Sequence, residues 1–285
     1  MKNIEKYRGD LVKSILDTYN RDGIQYKVKS KDYNTVVESY LNLLNRLIGP
    51  QKRTVHISKE IQTKINGKDA ESVRLKGLVL DMQKKMENGI DVNGHLSKTI
   101  IRDIHKNDML LDDWRICHLH LDYRDGDFFD MSRPMSSDLL FAVVLSNNVY
   151  FLDITNHGVD DFADLDYLKI MKNNFENELL VKHEDVISIN ADLNTPNDVK
   201  QMRNCGVNFF IHEIDGKYYS VKYALGYSLG KTSMKSFNQR IAIDSIIKKL
   251  DIEYDHMIFQ PYCIGCICKV YSTDGECFDL TYNYL

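Results

Sequence analysis

Two histidines two positions apart, His118 and His120, a third at His157 and an arginine at Arg133 are the side chains whose types and spacing could do chemistry. On a β-strand residues two apart share a face, so the two imidazoles of His118 and His120 stand about 7 Å apart on one sheet surface. One imidazole near its ordinary pKa of about 6.5 can remove the proton of a ribose 2′-hydroxyl, and a second, protonated, can donate to the leaving 5′-oxygen. A guanidinium can hold the charge that develops on phosphorus. These parts suffice for RNA cleavage without a metal or other cofactor, which makes His118, His120, Arg133 and His157 the candidate catalytic group.

The same side chains admit two other readings. His-x-His on a strand, with His157 or Asp153, supplies three or four ligands for zinc or another divalent ion and leaves a position for water, the donor set of a metal-dependent phosphoesterase. Alternatively, the histidines are polar strand residues hydrogen-bonded at a sheet surface and Arg133 sits in a loop salt bridge. The protein is then a non-enzymatic RNA- or protein-binding sensor or scaffold.

The elements that must position these residues follow from the hydrophobic pattern. Apolar residues recur at three and four spacing from Glu5 to Arg21 and from Tyr33 to Ile48, where Gly49-Pro50 ends the second helix. Further helices are expected after Ser58 and from Ala70 to Met86, closed by Asn88-Gly89. At Trp114 the character changes. Trp114 to Leu121, Leu139 to Leu145 and Val149 to Thr155 read as strands, the last two a hairpin about Ser146-Asn147-Asn148. A helix over Asp164 to Glu178 follows, then a hairpin about Asp215-Gly216 between Val207 to Ile214 and Lys217 to Ala224. Thr232 or Ser233 caps a helix running to Leu250, and a last hairpin turns at Thr273-Asp274-Gly275. The expected fold class is α+β, a helical N-terminal half (1–105) followed by an antiparallel β-sheet domain with flanking helices (106–285).

Composition sets the setting. With 285 residues and 43% apolar content, the chain can bury a substantial core without disulfides. Met1 to Tyr7 is charged and no apolar run reaches about 18 residues, so a cytoplasmic protein with free thiols and no membrane partner is expected. The net charge of −4 hides an asymmetry: residues 1–110 hold 21 Lys/Arg against 14 Asp/Glu, and the remainder 16 against 27. A basic amino-terminal face is suited to holding RNA by phosphate contacts, with Lys98 and Lys231 as candidate substrate contacts; attraction between the two halves explains the asymmetry equally well.

The run Leu96-Ser97-Lys98, then Asp113-Trp114-x-Ile116-x-His118-Leu119-His120-Leu121, Arg133, Leu139-Leu140-Phe141 and Tyr150-Phe151-x-Asp153-Ile154-x-x-His157-Gly158 resembles a widespread group of uncharacterised bacterial proteins. Helices followed by an antiparallel sheet bearing His and Arg are also similar in architecture to the barnase, EndoU, colicin E5 and RelE superfamily of ribonucleases. That resemblance implies a ribonuclease of toxin or phage-defence type, partnered by RNA and by an antitoxin or a phage protein. The chain is longer than a RelE-like toxin, and residues 191–285 have no counterpart in the likeness.

Two further patterns are weaker. Gly226 to Ser233 resembles a phosphate-binding loop, but its first position is Leu225 instead of glycine and the preceding strand is antiparallel; a capped helix start is the simpler reading. Cys263, Cys266, Cys268 and Cys277 lack the two separated Cys-x-x-Cys pairs of a zinc ribbon, and read as small core positions.

Overall fold

The structure is a computed structural model that describes residues 4–27, 30–106, 108–121, 128–129, 138–156, 161–186, 195–205, 207, 210–226, 233–253, 257–260, 266–272 and 277–281. In chain order its elements are α1 (Ile4–Arg21), α2 (Tyr33–Arg46), β1 (Thr54–Ile57), α3 (Lys59–Ile65), α4 (Ala70–Asn88), α5 (Thr99–Arg102), α6 (Met109–Trp114), β2 (Ile116–His120), β3 (Asp138–Val144) and β4 (Asn148–Asn156). There follow α7 (Asp166–Leu179), β5 (Leu180–His183), α8 (Pro196–Asn204), β6 (His212–Ile214), β7 (Lys217–Val221), α9 (Met234–Glu253), β8 (Met257–Gln260), β9 (Cys266–Ser272) and β10 (Cys277–Thr281). The chain is α+β: helices come first, then largely antiparallel sheets with helices between them.

Contacts divide the chain into two compact units, each assembled from segments far apart in sequence. The first comprises Met1–Gly49, Thr99–Asn107 and Gly230–Leu285. Along α1 a residue on every fourth position, Tyr7, Leu11, Ile15 and Tyr19, is buried, the stripe of a helix that packs on one side. The partner helices α2 and α9 are joined by a buried polar knot, in which Asn45 Nδ2 donates to Ser236 Oγ at 3.0 Å and Gln239 Oε1 at 2.9 Å. Arg46 explains why a distant segment joins this unit. Its guanidinium donates to the carbonyls of Ile104 and Lys106, both at 2.9 Å, capping the turn after α5 with a planar fork that no other side chain supplies. The strands β8, β9 and β10 form an antiparallel sheet in this unit.

The second unit, Pro50–Lys98 with Asp108–Leu229, is built on a four-stranded sheet in the order β1-β4-β3-β2. β3 lies between β2 and β4 and is antiparallel to both, with β3 and β4 forming the hairpin that the apolar runs predict, whereas β1 lies parallel to β4. That fourth strand falls inside the region expected to be helical; at four residues it is too short to break the surrounding 3.6-residue pattern. One face of the sheet packs Ile116, Phe141, Val143 and Tyr150 against Tyr167 and Met171 of α7 and Trp114 of α6, each such burial contributing about 1.5–3 kcal/mol. A second sheet, β5-β7-β6, is antiparallel, and its Asp215-Gly216 turn has φ of 49° and 70°, the two positive values a type I′ hairpin demands.

Trp114 needs correction. It was expected to open the strand that carries the histidines, but it is the last residue of α6. Arg115, at φ 59° and ψ 17°, caps that helix in the left-handed region and redirects the chain into β2. Elsewhere the caps are as read: Ser58 Oγ accepts from Ile61 N at 3.1 Å, Ser233 Oγ from Ser236 N at 3.1 Å, and Gly89 closes α4 at φ 69°. The turn residues 273–275 lie outside the described residues.

Candidate functional site

β2 is an edge strand, and its register places His118 opposite Phe141 and His120 opposite Leu139. The two imidazoles do share a face. Their ring centroids are 5.9 Å apart and their planes meet at 74°, edge to face. Their surroundings differ. His120 is 2% exposed and lies flat against the ring of Phe129, with centroids 3.7 Å apart and an 8° interplanar angle. His118 is half-buried, with the ring centroid of Phe162 at 4.9 Å in an edge-to-face arrangement and that of Phe141 at 6.4 Å.

Phe129 is held by its backbone. Its amide donates to Leu96 O at 2.9 Å and its carbonyl accepts from Lys98 N at 2.8 Å, a one-residue parallel bridge with Ser97. Lys98, a candidate substrate contact, is half-buried, and its main chain thus fixes the aromatic ring that covers His120.

A third imidazole, His95, was not among the sequence candidates. It is buried, with Nδ1 2.6 Å from the carbonyl oxygen of His120 and Nε2 3.2 Å from Lys85 Nζ. An ammonium only donates, so Nε2 accepts and the ring proton sits on Nδ1. Burial pushes the His95 pKa down to about 4, with the Lys85 charge adding to it and the bond to the His120 carbonyl opposing it. Lys85 in turn pairs with Asp81 at 2.7 Å. His95 lies 25 positions before His120, at the end of a single 3-10 turn (Asn93–His95) too short to show a periodic pattern, so only its residue type could have drawn attention to it.

The sheet gathers three strand ends beside His120, those of β2, β3 and β4. Leu121 N donates to Asp138 O at 3.0 Å, and Asp138 is paired with Asn156. In sequence Arg133 falls between Leu121 and Asp138, and His157 directly follows Asn156. Arg133, His157 and Lys231 all lie outside the described residues, as do Cys263 and His256. Cys266 and Cys268 fall on β9 and Cys277 on β10.

Among the described residues no group of three or more His, Cys, Asp or Glu could hold a metal ion. Asp153, the carboxylate of the metal reading, is paired with Lys64 at 2.7 Å. The scattered histidines have partners that sequence could not supply: His105 Nδ1 meets Ser39 Oγ at 3.0 Å, and His183 Nε2 meets Ser220 Oγ at 2.8 Å. His212 Nε2 accepts the indole N–H of Trp114 at 3.1 Å.

That last contact belongs to a buried cluster beside α6. Arg203 Nε donates to Asp113 Oδ2 at 2.6 Å, its guanidinium lies 4.8 Å from the Trp114 ring centre, and it also reaches the carbonyl of Phe162. Burial raises the Asp113 pKa more than the Arg203 charge and hydrogen bond lower it. Through the carbonyl of Phe162, whose ring packs against His118, Arg203 ties α8 to the site.

Comparison with protein-family models, with curated proteins and with solved structures finds no match. No helix among the described residues is long and apolar enough to cross a membrane.

Proposed function

We propose that the protein is a metal-independent ribonuclease of toxin or phage-defence type, in which His118 and His157 exchange protons with the substrate and Arg133 holds the phosphate. The observation that supports this reading is the meeting of His118 and His120 on one sheet face, 5.9 Å apart, at the end of the sheet from which the chain continues toward Arg133 and His157. Half-buried His118 is the proton-transfer group of the pair. His120, flat beneath Phe129, keeps the His118 ring edge-on and is a positioning residue in this reading. RNA is the substrate, with Lys98 and Lys231 as phosphate contacts, and an antitoxin or phage protein is the controlling partner.

The test is RNA cleavage by the purified protein in the presence of a chelator. Cleavage should persist with the chelator and disappear in His118→Ala, His157→Ala and Arg133→Ala while the melting temperature holds. Intact RNA with the native protein, or cleavage retained in both histidine variants, removes the proposal; activity abolished by the chelator alone transfers it to a metal-dependent phosphoesterase.

One observation favours a second reading, a non-enzymatic RNA- or protein-binding scaffold. The burial of His120 and its close stack on Phe129 are what a packing histidine requires. In that case His120→Ala lowers the melting temperature and changes no catalytic rate.

A further inference from the structure

Arg53 and Arg115 are two guanidinium groups of the second unit that the fold draws out of bulk water without giving either a carboxylate partner among the described residues. Arg53, just ahead of β1, is 8% exposed. Its Nε donates to Leu145 O at 2.8 Å and Nη1 to Gln51 O at 3.0 Å, both neutral acceptors. Burial accordingly lowers its pKa. Arg115 is half-buried, and its enclosed Nη1 meets no hydrogen-bond acceptor. Each guanidinium carries five N–H donors; among the described residues these two bonds are the only ones the pair makes, and neither arginine forms an ion pair. Cations in such places are normally matched by an anion, because removing charge from water unpaired costs several kcal/mol.

The backbone of Arg115 is an independent observation. It caps α6 at φ 59°, its amide donating to the carbonyls of Leu110 and Leu111, a position that glycine fills with about 1 kcal/mol less strain. A long cationic side chain at that position, with no partner among the described residues, points to a task beyond capping.

The two groups approach one place. Arg53 reaches Leu145, the residue after β3, and Arg115 immediately precedes β2, the neighbour of β3. The Cys117 thiol, which donates to Ala142 O at 3.2 Å, feels the positive charge of both. Asp108 is the carboxylate that acts on the same thiol, and its Oδ1 is engaged by Leu111 N at 3.2 Å as the cap of α6. Cys117 has the opposite parity to His118 on β2, so this place lies on the other face of the sheet from the histidines.

We propose that Arg53 and Arg115 form a binding site for a phosphoryl oxyanion at the β3–β4 hairpin end of the four-stranded sheet, on the face opposite His118. The unused N–H groups of two guanidinium forks match the tetrahedral oxygens of phosphate, and one dianion compensates both cations. The ligand is inorganic phosphate or the 5′-phosphate of a nucleotide.

Thermal unfolding of the full chain in inorganic phosphate, against chloride at the same ionic strength, tests this without reference to RNA cleavage. At saturation phosphate should raise the melting temperature by roughly 5 °C. Arg115→Gly should melt no lower than the native protein in chloride, because its backbone strain is relieved, and should lose the phosphate-dependent rise. A rise with 5′-AMP alone identifies a nucleotide phosphate as the source, and a rise with both identifies the free anion. No rise with either, an equal rise with adenosine, or a rise retained in Arg115→Gly overturns the site.

Discussion

His95 donates from Nδ1 to the main-chain carbonyl of His120 at 2.6 Å while Lys85 donates to its Nε2 at 3.2 Å. Both ring nitrogens are therefore committed, one as donor and one as acceptor, and only the neutral ring satisfies both. A proton on Nε2 would remove the acceptor of Lys85 and set two cations together. Burial, with the Lys85 charge adding to it against the opposing bond to the His120 carbonyl, lowers the His95 pKa to about 4 from its ordinary 6.5. As pH falls the unfolded chain takes up this proton first, so the stability carried by neutral His95 is complete above about 6.5 and is lost progressively down to about 4. The loss is on the order of 3 kcal/mol. Urea unfolding across that range should show the decline in the native protein and a flatter profile in His95→Gln. Parallel profiles would mean that His95 does not titrate as its contacts require.

The unequal burial of His118 and His120 predicts unequal costs. His120→Ala empties the space beneath Phe129, and Phe129→Ala empties it from the other side, so each should cost about 2–4 kcal/mol. Because both remove one stack, the double variant should lose less than the sum. His118→Ala, at a half-buried position, should cost less than about 1 kcal/mol. Denaturant midpoints of the four proteins decide the matter; equal costs at His118 and His120 would contradict the packing described here.

The buried pair Asp113–Arg203 should behave as enclosed charges do. Arg203→Met leaves the Asp113 carboxylate enclosed beside Trp114 without its cation, at a cost of about 3–5 kcal/mol. Adding Asp113→Leu should recover a large part of that loss, since the remaining charge goes with it. Should the double variant be less stable than Arg203→Met alone, the pair is stabilising outright and the desolvation argument fails.

How far the sequence revealed this arrangement depends on whether the signal is local. The alternation through Ile116, His118 and His120 located β2 and put both imidazoles on one face, and Asp215-Gly216 named its turn through the two positive φ values. Trp114 misled because an apolar aromatic beside a strand looks like its first residue; the left-handed turn at Arg115 that separates them follows from helix capping, to which an arginine gives no clue. The face shared by His118 and His120 was legible, but its cover was not. Phe129, Phe162 and His95 arrive from three segments with no periodic relation to β2, and the four residues of β1 pair with a strand more than ninety positions away. Such contacts arise from tertiary packing, which leaves no spacing to read.

Trp114 offers the most direct probe of that packing, because it is the chain's one tryptophan. Its indole N–H donates to His212 Nε2 at 3.1 Å, and the Arg203 guanidinium lies 4.8 Å from its ring centre. Intrinsic fluorescence therefore reports on the corner where α6, α8 and β6 meet. His212→Phe keeps the ring volume and removes the acceptor, leaving an enclosed donor unsatisfied at about 1–3 kcal/mol. Emission should move to shorter wavelength as the indole loses its polar partner. His212→Gln, which can still present an oxygen, should restore much of both stability and emission. A His212→Phe spectrum and unfolding midpoint that both match the native protein would show that the indole does not depend on His212 for its hydrogen bond.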